Sequence, residues 1–254
     1  MEFFDSHSHY NDEKYNMDRN EIINLAYIDG ITKFVCAGYN VKQSEYALDL
    51  TKEFNFMYAT CGISPNDIED FVDNNLEKIE NLGKEDKIVA IGEIGLDYYW
   101  NKENKELQKE LFIKQIEIAN RINKPIVIHT RDAWQDTIEI LKAYPVKKKG
   151  IFHCCPLNQE LIKEALKLGF YISFSGNITF KNAKSEGCVS LVPMDRILIE
   201  TDCPYLSPEP YRGKRNDSRN VKLVAEKIAQ IKDIPIEVVA KETYKNANIV
   251  FGLL

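Results

Sequence analysis

The sequence lacks any uninterrupted apolar run long enough to cross a bilayer, and no basic segment followed by an apolar stretch stands at its start. Neither a membrane span nor an export leader is expected. A dense cysteine framework is also missing. Cys36, Cys61, Cys154, Cys155, Cys188 and Cys203 lie mostly in or beside apolar strand-like runs, and the adjacent pair Cys154-Cys155 has no Cys-x-x-Cys partner. Buried, reduced thiols in a cytoplasmic protein are the expectation. Basic charge is not in excess either: the formal charge is −6, so a polyanionic partner has to be met by a local cluster of cations or by metal ions. Histidine is scarce, with four in 254 residues, and each stands at the polar end of an apolar run.

No linker, internal repeat or low-complexity segment divides the chain, and residues 1–254 are expected to form a single domain. Short apolar runs rich in β-branched and aromatic residues alternate with longer stretches of helical period. The strands are expected near 3–9, 33–38, 56–63, 88–98, 125–129, 150–153, 170–176 and 196–202. Between them, Leu107, Leu111, Ile118 and Ile122 mark the inner stripe of a long helix, and Val221, Val224, Ala225 and Ile228 that of a later one. Gly30 ends the first helix and Pro235 opens the last. Eight nearly continuous apolar strands alternating with helices predict an α/β fold, a (β/α)8 TIM barrel.

On that map the unusual polar residues gather at strand C-terminal ends: His7 and His9 on the first strand, Glu93 on the fourth, His129 on the fifth, His153 on the sixth and Asp202 on the eighth. In a barrel those ends share the face on which active sites are built. His7 and His9 are two apart on a strand, so they point the same way and can converge on one ion. Four imidazoles beside two carboxylates are costly to bury without a cation. Six N/O donors exceed what one structural zinc needs and leave room for two divalent ions, magnesium, manganese or zinc, with open positions for water and substrate. That is the donor set of a metal-dependent hydrolase. A structural ion in a binding module is the weaker alternative, because such a site is closed and four-coordinate.

A second cluster follows the eighth strand. Arg212, Lys214, Arg215 and Arg219, joined by Arg131 just past His129, form a cationic group in an otherwise acidic protein. Guanidinium forks match phosphate oxygens, so Arg131, Arg212, Lys214 and Arg215 are candidate phosphate contacts, and Tyr98, Tyr99, Trp100 and Tyr205 offer faces for stacking bases. The run Lys147-Lys148-Lys149 reads as a solvated loop.

Asp5-Ser6-His7-Ser8-His9, Gly92 through Tyr98, Pro125 through Arg131, Glu200 through Leu206 and Arg212 through Asn216 together resemble the TatD family of metal-dependent deoxyribonucleases, over the whole chain. The resemblance implies an amidohydrolase-type barrel in which His7, His9 and Asp202 hold one ion, His129 and His153 another, and Glu93 bridges them. Asp202 then orients or deprotonates the attacking water, with Glu93 and Asp202 as the catalytic pair. It also implies DNA as the partner, attacked from single-stranded ends in the 3′-to-5′ direction by a monomer. Two stretches depart from the family pattern, Gly62-Ile63-Ser64-Pro65-Asn66 and His153-Cys154-Cys155-Pro156-Leu157; both bear on the pocket walls and leave the ligands in place. The same barrel and ligands also support ester or amide hydrolysis, as in a D-aminoacyl-tRNA deacylase.

Overall fold

The computed structural model describes residues 1–254. Strands β1 (Phe3–Ser8), β2 (Ile31–Ala37), β3 (Met57–Cys61), β4 (Ile88–Asp97), β5 (Ile126–Arg131), β6 (Gly150–Phe152), β7 (Tyr171–Phe174) and β8 (Ile197–Ile199) form one sheet in chain order. Every neighbouring pair is parallel. The last strand returns to the first. Ser6 Oγ donates to Ile199 O at 3.0 Å, and just beyond the strands Asp202 N–H donates to His7 O at 3.0 Å and His9 N–H to Cys203 O at 2.7 Å. The sheet is therefore a barrel, and the expected (β/α)8 architecture is the observed one.

Helices α1 (Arg19–Ile28), α2 (Val41–Glu53), α3 (Asp73–Leu82), α4 (Lys105–Ile122), α5 (Trp134–Ala143), α6 (Gln159–Lys167), α7 (Ser185–Leu191), α8 (Val221–Lys232) and α9 (Ile236–Phe251) accompany the strands. Side chains set their ends. Asn40 Oδ1 accepts the Gln43 N–H ahead of α2, and Asn158 Oδ1 accepts those of Glu160 and Leu161 ahead of α6. Asn123, Asp233 and Gly252 close α4, α8 and α9 in the left-handed conformation. Helices α3 and α7, and the 3-10 turn Pro65–Asp70, fall where the sequence reading placed no element.

Phe4, Val35, Val89, Val127, Ile151, Tyr171 and Leu198 come from seven different strands and meet Val250 and Phe251 of α9. This apolar plug closes the barrel at the strands' N-terminal end and leaves the opposite mouth for polar groups. A larger cluster, with Leu50, Phe112 and Leu161 among its members, packs the helices onto the outside of the sheet. On α4 the expected stripe holds at Leu111 and Ile118, but Leu107 is 41% exposed. Gln108 and Gln115 point inward instead, both fully buried. Gln108 Oε1 accepts the Asp97 N–H at 2.8 Å, and Gln115 accepts the Ile63 N–H at 2.7 Å and donates to Ile63 O at 2.9 Å. The helix thus satisfies strand-end backbone with amides where an apolar stripe would leave it unpaired.

Candidate metal centre

The register of β1 against β2 shifts between Asp5 and Ser8; His7 lies within that shift and His9 just past it, and their Nε2 atoms meet in the mouth 3.1 Å apart. Asp202 lies three residues beyond β8, held there by its N–H on His7 O. Its Oδ1 stands 3.2 Å from His9 Nε2 and 3.6 Å from His7 Nε2. Glu93 is in the middle of β4, and its Oε2 stands 3.6 Å from His7 Nε2 and 3.8 Å from His9 Nε2. The other Glu93 oxygen faces a separate pair: Oε1 is 2.9 Å from His129 Nδ1 and 3.4 Å from His153 Nε2, and those two nitrogens are 3.3 Å apart. All six residues singled out in the sequence therefore meet, in two donor groups that share Glu93.

Donors each about 2.1 Å from one ion in tetrahedral or octahedral geometry stand about 3.0 to 3.4 Å from each other. The observed spacings cluster around that range, and the groups His7, His9, Glu93 and Glu93, His129, His153 are compatible with metal binding. Among themselves the side chains are poorly matched, since the Nδ1 atoms of His7, His9 and His153 are buried and make no hydrogen bond within the protein. Burial works against charge on Glu93, but the neighbouring His153 and the hydrogen bonds from His129, His153 and His7 hold its carboxyl well below the usual range. Burial likewise opposes protonation of His129, and its bonds to Asp97 and Glu93 win, raising its pKa to about 9. Burial instead lowers the His7 pKa, so a proton on His129 balances the carboxylates, and a cation binding at its Nδ1 would compete with that proton.

Asp97, four residues beyond Glu93 and on the same face of β4, received no role in the sequence reading. Its Oδ2 is 2.9 Å from His129 Nε2, and its Oδ1 accepts the Tyr99 and Trp100 N–H groups at 2.9 Å each. The even spacing from Glu93 on one strand was the available signal. A Cβ on Gly95, between the two, would stand 2.0 Å from His129 O, so only glycine lets β5 carry His129 this close. Asn66, in the first stretch that departs from the family pattern, donates to Asp97 Oδ2 at 3.3 Å. In the second departure, Cys154 N–H donates to Glu200 Oε1 at 2.6 Å. None of the six thiols is bridged.

The centre opens into a cavity of about 880 Å³ whose lining includes Arg131, Trp100, Tyr205 and Asp67. Arg131 is the one arginine or lysine on that wall. Its guanidinium lies 4.0 Å from the Tyr99 ring centroid and 5.5 Å from that of Trp100. The other cationic candidates are not brought to the cavity. Arg215 grips Asp18 with both terminal nitrogens, at 2.9 and 2.5 Å, and Arg212 stacks 3.7 Å over the Phe180 ring. Lys214 sits 5.6 Å over the Tyr211 ring. Tyr98 is buried, its hydroxyl donating to Asp136 at 2.7 Å, so it offers no stacking face. No helix is long and apolar enough to cross a membrane.

Comparison with known proteins gives the family and the fold. Residues 4–252 match the family described as TatD related DNase. The uncharacterized metal-dependent hydrolase YabD of Bacillus subtilis is 43% identical over 252 residues, 98% of this chain and 99% of that protein. The uncharacterized metal-dependent hydrolase YcfH of Escherichia coli K12 is 38% identical over 251 residues, 97% and 94% of the two chains. The crystal structure of YjjV, a TatD homolog from Escherichia coli K12, shares the fold with a TM-score of 0.94 at 24% identity, covering 98% of both chains. The chain belongs to the TatD-related DNase family of metal-dependent hydrolases.

Proposed function

We propose that this protein hydrolyses phosphodiester bonds at single-stranded DNA ends, in the 3′-to-5′ direction. The observation that carries this reading is the pair of donor groups sharing Glu93 at the foot of a cavity whose wall holds an arginine without a carboxylate partner. His7, His9, Asp202 and Glu93 Oε2 would hold one divalent ion; His129, His153 and Glu93 Oε1 would hold the other. Bound there, two divalent ions supply an activated water and polarise a phosphoryl oxygen. Asp202 orients that water and takes its proton, being close to the first donor group and on the cavity wall. Arg131 takes a non-bridging phosphate oxygen, held in position by the Tyr99 ring beneath it. Trp100, 65% exposed beside it, offers a face to the terminal base. Arg212 and Lys214 lie outside the cavity and would meet phosphates further along the strand.

The test is a single-stranded oligonucleotide labelled at either end, incubated with magnesium, manganese or zinc in turn. A 5′ label should give a ladder of shortening products and a 3′ label should leave first as mononucleotide, both only without chelator. An intact oligonucleotide, together with release of an amino acid from an aminoacyl ester of transfer RNA, would replace this reading with ester hydrolysis.

Arg131→Ala should raise KM for the oligonucleotide about tenfold with kcat little changed, since the guanidinium meets the ground state and transition state alike. The dependence of KM on salt should become shallower, because one phosphate contact is lost. Steady-state kinetics at low and high salt decide this; an unchanged KM would place phosphate recognition elsewhere.

A further inference from the structure

Behind the metal centre lies a carboxylate with no assigned task. Glu200 is fully buried and has no lysine or arginine partner. Its Oε1 accepts the Cys154 N–H at 2.6 Å and lies 3.4 Å from His153 Nδ1, while its Oε2 makes no hydrogen bond within the protein. A buried carboxylate left half-satisfied is expensive unless something else draws on it. Two atoms nearby have the matching deficit: the Nδ1 atoms of His7 and His153 are buried and unpaired. The two imidazole rings stack with centroids 3.9 Å apart and planes at 18°. A nitrogen of each and an oxygen of Glu200 lie within 4.8 Å of one another, a separation that one water with two hydrogen bonds can span.

His7 belongs to the donor group on Glu93 Oε2, and His153 to the group on Glu93 Oε1. We propose that Glu200 is a positioning residue for both halves of the centre at once, accepting from the Nδ1–H of His153 and, through its second oxygen and one bridging water, from that of His7, so that both rings would keep a bare Nε2 for metal. A histidine ligand takes its tautomer and ring orientation from the partner of its other nitrogen, and loss of that partner typically weakens metal binding 10- to 100-fold. Glu93 would then link the two donor groups from the front, and Glu200 would link one ring of each from behind. Asp97 differs in reach, since His129 is the one histidine of the centre that it touches.

This inference rests on the two-ion reading above, and direct metal titration separates the two. Calorimetry with manganese or zinc on wild-type protein should give two ions per chain. Any other number overturns the two-ion reading and this inference with it. Given two, Glu200→Gln, which keeps the side chain's shape and an acceptor for Cys154 N–H, should weaken both ions together by about 10- to 100-fold. Asp97→Asn should weaken one. Wild-type affinity at either site in Glu200→Gln overturns the joint role. The apo variant should unfold at the wild-type urea midpoint. On wild-type protein loaded with zinc, imidazole-tuned 1H–15N spectra should show slowly exchanging Nδ1 protons on His7 and His153. Rapid exchange of either with solvent refutes the proposal whatever the variant does.

Discussion

Glu93→Ala is expected to leave the barrel folded and to cut turnover of an oligonucleotide at least about a thousandfold, equivalent to roughly 4 kcal/mol of transition-state stabilisation. The size of the effect follows from where the carboxylate stands. Each of its oxygens faces a different pair of histidines, at 3.6 and 3.8 Å on one side and 2.9 and 3.4 Å on the other. Alanine removes a donor from both groups, whereas loss of a single histidine touches one. Asp202 would be left as the one carboxylate beside His7 and His9, and no carboxylate would be shared between the two groups. Initial rates with each metal, alongside circular dichroism of the variant, give the result. A folded Glu93→Ala protein with full activity would refute the shared-ligand mechanism.

The second large effect concerns stability at the seam where the barrel closes. Asp5 is fully buried; its Oδ1 accepts the Thr201 N–H at 3.0 Å, and its Oδ2 accepts the hydroxyls of Thr201 at 2.5 Å and Ser218 at 2.6 Å. Burial pushes its pKa from 3.8 to about 7, against the pull of those hydrogen bonds. From about pH 4 to about pH 7 the unfolded chain gives up this proton while the folded chain keeps it. The native state therefore binds more protons across that window, and stability falls as pH rises through it. A displacement of that size corresponds to about 4 kcal/mol. Asp5→Asn cannot ionise, so between pH 5 and pH 8 its urea midpoint should fall less than that of wild type, both measured in chelator. Parallel pH profiles for the two proteins would show that Asp5 is ionised in the fold throughout.

How the site was legible in the sequence, and where it was not, has a common physical basis. His7, His9, Glu93, His129, His153 and Asp202 could be read because each interrupts an apolar run, and a barrel brings every such interruption to one rim. Leu107 was misplaced because the helix it begins turns amides inward to pair with strand ends, and a reading of apolar spacing does not register Gln108 and Gln115 as core. Arg215 looked free for phosphate because its partner, Asp18, is 197 positions away in the chain and nothing local announces the pairing. Asp97 and Glu200 stand inside motifs already noticed, but their work is done on the far nitrogens of the histidines, and which nitrogen faces which way is a property of the folded rings alone.

The seam between β8 and β1 also decides when in the life of a chain the chemistry can begin. His7 and His9 stand nearly two hundred positions before Asp202, which is joined to them through the bond from its own N–H to His7 O. A growing polypeptide has no complete first donor group until its last strand is made and docked. A contact between such distant positions is also the slowest kind to form. A chain that stops before β8 lacks Asp202, so its first donor group stays incomplete.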